Sequence, residues 1–443
     1  MEKYTREDIL QMAEEEDVEF IRLQFTDMFG TMKNIAVPFS KLEKAMDNQC
    51  VIDASSMEGF YRNEEEDMYL HPDLNTFCIL PWRPQQGKVA RFICDIYKAD
   101  GTPYRESPRY ILQETVRKAK EKGYTFMVNP ECEFFLFHTD DNGMPTTVTH
   151  EQAGYMDLSP VDLGENARRD IVLTLEEMGY DVESSHHEIA PGQQEIDFTM
   201  SDVQETADKL MTFKVAVRTI SKRHGLHATF MPKPKEEVNG SGMHINMVLY
   251  KDGKNIFEDE NDILGLSREA YAFIAGILEH IKGMTAIFNP LVNSYKRLVP
   301  GFEAPSEITW SSGQRTALIK VPSRRQREKE IELRSPDPSA NPYLVFALCM
   351  AAGIDGIERN LEIPEELTKS IRSMSEEEKN SQGIDSLPEN LSDALYELEK
   401  DVWLKEILGT AFFEHYKKAK KKEWKSYMKQ VSDWELEQYL YQI

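Results

Sequence analysis

The spacing of apolar and polar positions changes several times along the chain, and each change marks an element. Residues 1–20, MEKYTREDILQMAEEEDVEF, place apolar positions at helical intervals on a charged background, which predicts an amphipathic helix. VEFIRLQFTDMFGTMKNIAVP (18–38) then predicts two short strands around a Phe-Gly turn, with Pro38 ending the second. Short strands follow around Val51, Thr76 and KVARFICDIY (88–97), each bounded by Gly, Pro or Asp. Together these predict a small mixed domain. KADGTPYRESPRY (98–110), with Gly101, Pro103 and Pro108, marks its end, giving domains at 1–103 and 104–443.

In the second part, SPRYILQETVRKAKEKG (107–123) predicts a helix, with Ser107 placed to cap it, Pro108 at its first position and Gly123 beyond its end. FMVNPECEFFLF (126–137) reads as a strand, NARRDIVLTLEEMG (166–179) as a helix, and YDVESSHHEIAPGQQEIDFTM (180–200) as two strands about a Pro-Gly turn. ADKLMTFKVAVRTISKRHG (207–225) reads as a helix. Strands are predicted near 227–231, 243–250, 308–321 and 330–334, with helices around 268–288 and helix-rich sequence from 340 onward. No regular βαβ alternation or internal repeat is visible, so the pattern predicts an α+β architecture with a mainly antiparallel sheet.

Composition narrows the function classes. At 443 residues the chain is long enough for two or three domains and a buried site. A formal net charge of −25 argues against non-specific nucleic-acid binding, which requires net positive surface. The one basic run, KKAKKKEWK (417–425), reads as a solvated helix face. No apolar run approaches the roughly 20 residues of a membrane span, and the charged first helix lacks a signal peptide's apolar centre. The five cysteines are scattered without CxxC or zinc spacing, as reduced thiols in a cytoplasmic protein would be.

Chemistry enters at NPECEFFLFH (129–138). Glu131 and Glu133 lie two apart on an apolar strand and so share one face. Two adjacent carboxylates repel and resist burial unless a positive partner, most effectively a divalent cation, sits beside them. A sheet face open to water is the alternative. HHEIAPGQQEIDF (186–198), folded at Pro191-Gly192, would bring Glu188 and Glu195 opposite one another. NGSGMHIN (239–246) puts His244 on a strand, and EIELR (330–334) puts Glu330, Glu332 and Arg334 on one face.

Over nearly its whole length the chain resembles the type I glutamine synthetases. The likeness is carried by FTDMFGTMKN, EGFYRNEEEDMYLHPD, ARFICDIY, ECEFFLF, DLGENARRDIV, SHHEIAPGQQEID, HGLHATFMPKP, NGSGMHIN, NPLVNSYKRLVPGFEAP and ELRSPDPSANPYL, in that order. The resemblance implies a glutamine synthetase fold: a small β-grasp-like N-terminal domain and a large catalytic domain with a curved, mainly antiparallel sheet. It also implies ATP-dependent ligation of ammonia to L-glutamate through a γ-glutamyl phosphate. By resemblance, Glu133, Glu188 and Glu195 hold one metal and Glu131, His244 and Glu332 the other, both Mg²⁺ or Mn²⁺, which suit hard oxygen ligands. Arg297, Arg315 and Arg334 would neutralise charge around glutamate and the transferring phosphate, and Asn239, Gly240 and His244 would line the glutamate site. Asp53, from a neighbouring subunit, and Glu303, on a flap, would attract and deprotonate ammonium. Glu183, Asn246, Arg315 and Lys320 match positions near ATP. The shared site implies a homo-oligomeric ring, in this family two stacked hexamers.

Four positions depart from the family pattern. Ala54 replaces a usual Gly after Asp53, and would be strained if φ there is positive. Val248 stands where many members carry Ser. Lys320 replaces an arginine whose bidentate fork an ammonium cannot reproduce. Glu330 replaces an arginine facing the ATP phosphates. These keep two further readings in play: a related ligase using another amine, and a catalytically weak nitrogen sensor acting through regulatory protein partners. Arg62, in EGFYRNEEE, matches the position through which the short subgroup responds to glutamine as feedback inhibitor.

Overall fold

The computed structural model describes residues 4–57, 67–83, 86–322 and 328–443. Arg62 lies outside them. The first helix, Arg6–Glu15, starts at a capping box in which Thr5 and Asp8 satisfy each other's backbone amides. Its apolar face, Ile9 and Ala13, lies on a five-stranded sheet. The strands are β1 (Val18–Thr26), β2 (Met32–Pro38), β3 (Cys50–Asp53), β4 (Asp67–Ile79) and β5 (Lys88–Lys98), in the order β2-β1-β5-β4-β3. β1 and β5 run parallel and the other pairs antiparallel. Ile21, Leu23, Leu70, Ala90 and Phe92 are fully buried beneath the helix, each larger side chain contributing roughly 1.5–3 kcal/mol by burial. Ala54 opens a short 3₁₀ turn, Ala54–Ser56, and is not among the residues with positive φ, so its methyl group carries no strain there.

The second sheet is built around one long strand. β6 (Tyr124–His138) pairs with β8 (Gln193–Phe198), which pairs with β7 (Val182–His187), and with β9 (Ser201–Asp202) and β10 (Leu226–Thr229). On its other side come β11 (Met243–Lys251), with β12 (Lys254–Asn255) attached, then β15 (Ile331–Leu333), β14 (Ile319–Lys320) and β13 (Trp310–Ser311). Among the described residues of this sheet only β13 and β14 pair in parallel, so the sheet is mainly antiparallel as the pattern predicts. Alternation divides β6 between two environments. Cys132, Phe134 and Leu136 join the main core, where Phe134 meets Phe213 of the helix Val203–Arg223 edge-on at 6.1 Å. Glu131 and Glu133 take the opposite face.

Two local expectations change. The segment 308–321 is not one strand: Ser311 Oγ accepts from the amides of Gly313 and Gln314 and turns the chain, leaving two short strands. Ser107 occupies the N-cap of the helix Pro108–Glu121, but its hydroxyl makes no capping bond. The neighbouring Arg109 does the structural work at that point. Its buried guanidinium binds Asp73 and Asp95 of the first sheet and Asp208 of the helix Val203–Arg223, at 2.6–3.0 Å, joining the two sheets' domains.

Candidate active site

Antiparallel register sets the carboxylates in rows across the large sheet. Glu133 lies opposite Glu195, and Glu195 opposite His186. Glu131 lies between Asp197 and His244. Asn246 faces both Asn129 and Glu332, and Glu332 faces Lys320. Directly opposed residues share a face, so every one of these side chains projects to the same side as Glu131 and Glu133. The expectation that Glu188 lies opposite Glu195 does not hold. β7 ends at His187 and His186 takes that place, while Glu188 follows two residues later on the turn, its amide bonded to Gln193 O.

Two groups of ligand atoms result, each within 4.8 Å: Glu131, His244 and Glu332, and His186, Glu188 and Glu195. Glu133 belongs beside the second, since it shares a cavity with Glu188, Asn239, Gly240, Arg297 and Glu303. That cavity needs its glycines. A Cβ on Gly240 would come 2.2 Å from Pro232 O, and one on Gly242 would come 2.5 Å from an Arg297 Nη. Arg297 is buried, donating to the carbonyls of Arg334 and Ser335. Glu303 sits on a loop held by a cation–π contact of Lys233 over Phe302 (3.5 Å) and a bond from Arg372 to Phe302 O.

The two groups differ in electrostatics. Burial alone would raise Glu131, but His244 at 3.2 Å and the Asn246 amide at 2.8 Å, with Arg334 nearby, pull it down to about 2. Burial likewise acts on Glu332 and is overcome by Arg334 (2.6 Å), with His244 and Lys320 (2.9 Å) adding to it. In the second group, burial and the charge of Glu188 push Glu133 up to about 8, although Gln193 and the Gly242 amide donate to it. Glu195 is raised well above its ordinary value by burial and by Glu133 and Asp197. Buried carboxylates without enough positive charge, presenting hard oxygens with an imidazole at the margin, fit divalent cations.

The comparisons point the same way. Residues 17–99 match the family model described as glutamine synthetase, beta-Grasp domain, and residues 105–439 the one described as glutamine synthetase, catalytic domain. A glutamine synthetase of Clostridium saccharobutylicum is 58% identical over 440 residues, covering 99% of both chains, and one of Staphylococcus aureus is 52% identical over the same span. The chain belongs to the glutamine synthetase family. Among solved structures, a GmaS–ADP complex superposes with a TM-score of 0.88 at 32% identity, covering 98% of this chain and 99% of the other. The cryo-EM structure of Plasmodium falciparum glutamine synthetase has a TM-score of 0.87 at 26% identity, covering 99% of each. The enzyme is a ligase that joins ammonia to L-glutamate with ATP, and its reaction uses divalent metal.

Within that family frame, the fold gathers Glu131, Glu133, Glu188, Glu195, His244, Glu332, Asn239, Gly240, Arg297, Glu303 and Arg334. Arg315 is exposed on the turn after β13, close enough to act electrostatically on Tyr155. Glu183, exposed, accepts from Asn129 at 3.3 Å, and Asn246 bonds Glu131. Lys320 reaches Glu332, and Val248 is buried two residues beyond Asn246 on the same strand. Glu330 is buried just before β15, and residues 323–327 lie outside the described residues. Asp53 stands apart: it is exposed on the outermost strand, in a groove with Lys33, Asn34 and Met57, and does not line this chain's own cavity. Sequence reasoning missed His186 and Tyr155, whose rings meet edge-on at 5.5 Å beside Glu188 and Glu195, and Asp197, raised by burial to about 6. His186 was legible in the period of two that links it to Glu188.

Proposed function

We propose that the enzyme works with two Mg²⁺ or Mn²⁺ ions, one held by Glu131, His244 and Glu332 and one by Glu133, Glu188 and Glu195, with His186 beside the latter. The observation carrying this reading is the convergence of ligand atoms, Glu131 with His244 and Glu332 and Glu188 with His186 and Glu195, each within 4.8 Å, with Glu133 lining the same cavity as Glu188. Bound there, the cations supply charge neutralisation for phosphoryl transfer from ATP. Asn239, Gly240 and Arg297 hold glutamate in the cavity, and Arg334 with Arg315 offsets negative charge as the side-chain carboxylate attacks the terminal phosphate. Glu303, on its pinned loop, covers the acyl phosphate and excludes water. Glu183, Asn246 and Lys320 face the nucleotide. Ammonium must lose a proton before it attacks, a task assigned to Glu303 and to Asp53 of an adjacent subunit.

Among the described residues Asp53 and Glu303 line different cavities, so the reading extends to a homo-oligomeric ring, two stacked hexamers; it also takes a domain boundary at 103/104 and a cytoplasmic location. Among the described residues no helix is long and apolar enough to cross a membrane. Arg62 is assigned to glutamine feedback. The test measures phosphate released from ATP with glutamate and Mg²⁺ or Mn²⁺, with and without ammonium, and glutamine in the same tubes. Ammonium-dependent phosphate release matched by glutamine is expected. Mixing inactive Asp53→Ala and Glu303→Ala subunits then restores activity if sites are shared, and restores none if each chain is self-sufficient. An Arg62→Ala enzyme still inhibited by glutamine as before would remove the feedback assignment.

A further inference from the structure

Behind Glu188 lies a second, wholly buried group: Glu151, Asp162 and His187, with ligand atoms also within 4.8 Å. It resembles a third cation site, but its atoms are already occupied. Asp162 is ion-paired with Arg168 at 2.8 Å and accepts a hydrogen bond from the Gly164 amide at 2.9 Å. Glu151 accepts from the His187 Nε2 side at 2.8 Å, from the Leu163 amide at 2.9 Å and from the Gly192 amide. His187 Nδ1 lies 2.6 Å from the carbonyl oxygen of Glu188. Glu151 and His187 are thus held by hydrogen bonds and Asp162 by the Arg168 ion pair.

Its attachments reach both ends of the turn that carries Glu188. His187 grips that turn at the Glu188 carbonyl, and Glu151 grips it again at Gly192, whose φ of +83° and 2.9 Å clearance to Leu136 O leave no room for a side chain. The turn's return strand then sends Gln193 to Glu133 (2.7 Å) and to Gly240 O (3.2 Å). The segment containing Glu151 also carries Tyr155, and it is tied to the same place by the Met156 amide donating to His187 O at 2.9 Å. A buried carboxylate that accepts three hydrogen bonds from three chain segments fixes their mutual placement, and such outer partners orient ligating carboxylates.

We propose that Glu151, acting through His187 and the Gly192 amide, is a positioning residue for Glu188, setting that carboxylate against Glu195 so that the pair can hold a cation. This rests on the two-cation reading above. The test is Mn²⁺ binding to the full-length enzyme without ATP, followed by calorimetry and by electron paramagnetic resonance of free Mn²⁺, for the native chain, Glu188→Ala and Glu151→Gln. A glutamine keeps the shape of Glu151 but sets an NH₂ against one of its three donors. Glu188→Ala is expected to lose one class of site. Glu151→Gln is expected to weaken that same class by about 10–100-fold, leave the other unchanged, and recover turnover at saturating Mn²⁺. A Glu151→Gln enzyme with lower thermal stability and an unaltered isotherm would show a merely structural role and overturn the proposal. An unaltered isotherm in Glu188→Ala would overturn the two-cation reading itself, and the proposal with it. If Glu151→Gln does not fold, His187→Gln, which can still donate to Glu151 but loses the grip on the Glu188 carbonyl, is judged by the same outcomes.

Discussion

Two groups of carboxylates lie side by side on one sheet face, both drawing on β6 through Glu131 and Glu133, and the chain treats them in opposite ways. Around Glu131 and Glu332 it supplies Arg334, Lys320, Asn246 and His244, and the carboxylates stay ionised. Around Glu133 and Glu195 it supplies mainly other acids, and both are driven toward the protonated form. Glu332 is at least as buried as Glu133 and Glu195, so the difference comes from neighbours. The first group is stable as folded. The second carries a repulsion that either a proton or a cation relieves, and a divalent cation can take the place of the proton there.

The largest expected effect comes from turning the first group into a copy of the second. Arg334→Met leaves Glu332 with Lys320 and the His244 imidazole, and removing one partner of a buried ion pair costs about 3–5 kcal/mol. Denaturant unfolding in chelator should show that loss, and an unchanged midpoint would mean that Lys320 and His244 suffice. Next, adding Mg²⁺ or Mn²⁺ to the native protein at about 100–1,000 times its dissociation constant should stabilise it by about 2.7–4.1 kcal/mol. Glu195→Gln should lose most of that gain. The sharpest contrast is then of sign. In chelator, Glu332→Gln destabilises by about 1–3 kcal/mol, because Arg334 and Lys320 lose a charged partner. Glu195→Gln stabilises by about 1 kcal/mol, because one repelling carboxylate is gone. Melting curves of the two variants moving in the same direction would erase the distinction between the groups.

How much of this was legible follows from what kind of information each feature needs. Glu131 and Glu133 could be paired from sequence because strand period alone puts them together, and the N-terminal hairpin, the long helix at 268–288 and the antiparallel sheet followed from local pattern. Register could not be read. The pairing of His186, rather than Glu188, with Glu195 depends on where β7 stops, and it stops because the turn from Glu188 to Gln193 closes on itself and on Glu151. The same holds for 308–321, where a single serine hydroxyl turns what looked like a strand. Glu151 was invisible because its partners lie 12, 36 and 41 residues away. Asp53 was assigned by resemblance to the site of a neighbouring subunit, and in its own chain it lines a separate groove.

The smallest effect, and a control on the comparison, lies far from the site. His280 is buried with Nδ1 2.7 Å from Asp401 and Nε2 3.4 Å from Asp355, its ring stacked on Trp403 at 4.0 Å, while Arg359 takes the other demand on Asp355. Burial works against its charge, but Asp401 and Asp355 overcome it and raise the imidazole above its ordinary value. Here an imidazole and two carboxylates compensate one another, with no cation assigned to them. A raised folded-state value means the stabilisation is full below the unfolded value, about 6.5, and is lost as pH rises through the folded one. The native chain should therefore exceed His280→Gln in stability by about 1 kcal/mol near pH 6, with the gap closing toward alkaline pH and indifferent to Mg²⁺. Melting series with and without metal would check it, and a gap that widened with pH would mean that His280 is held neutral and that its two aspartates do not act as this geometry requires.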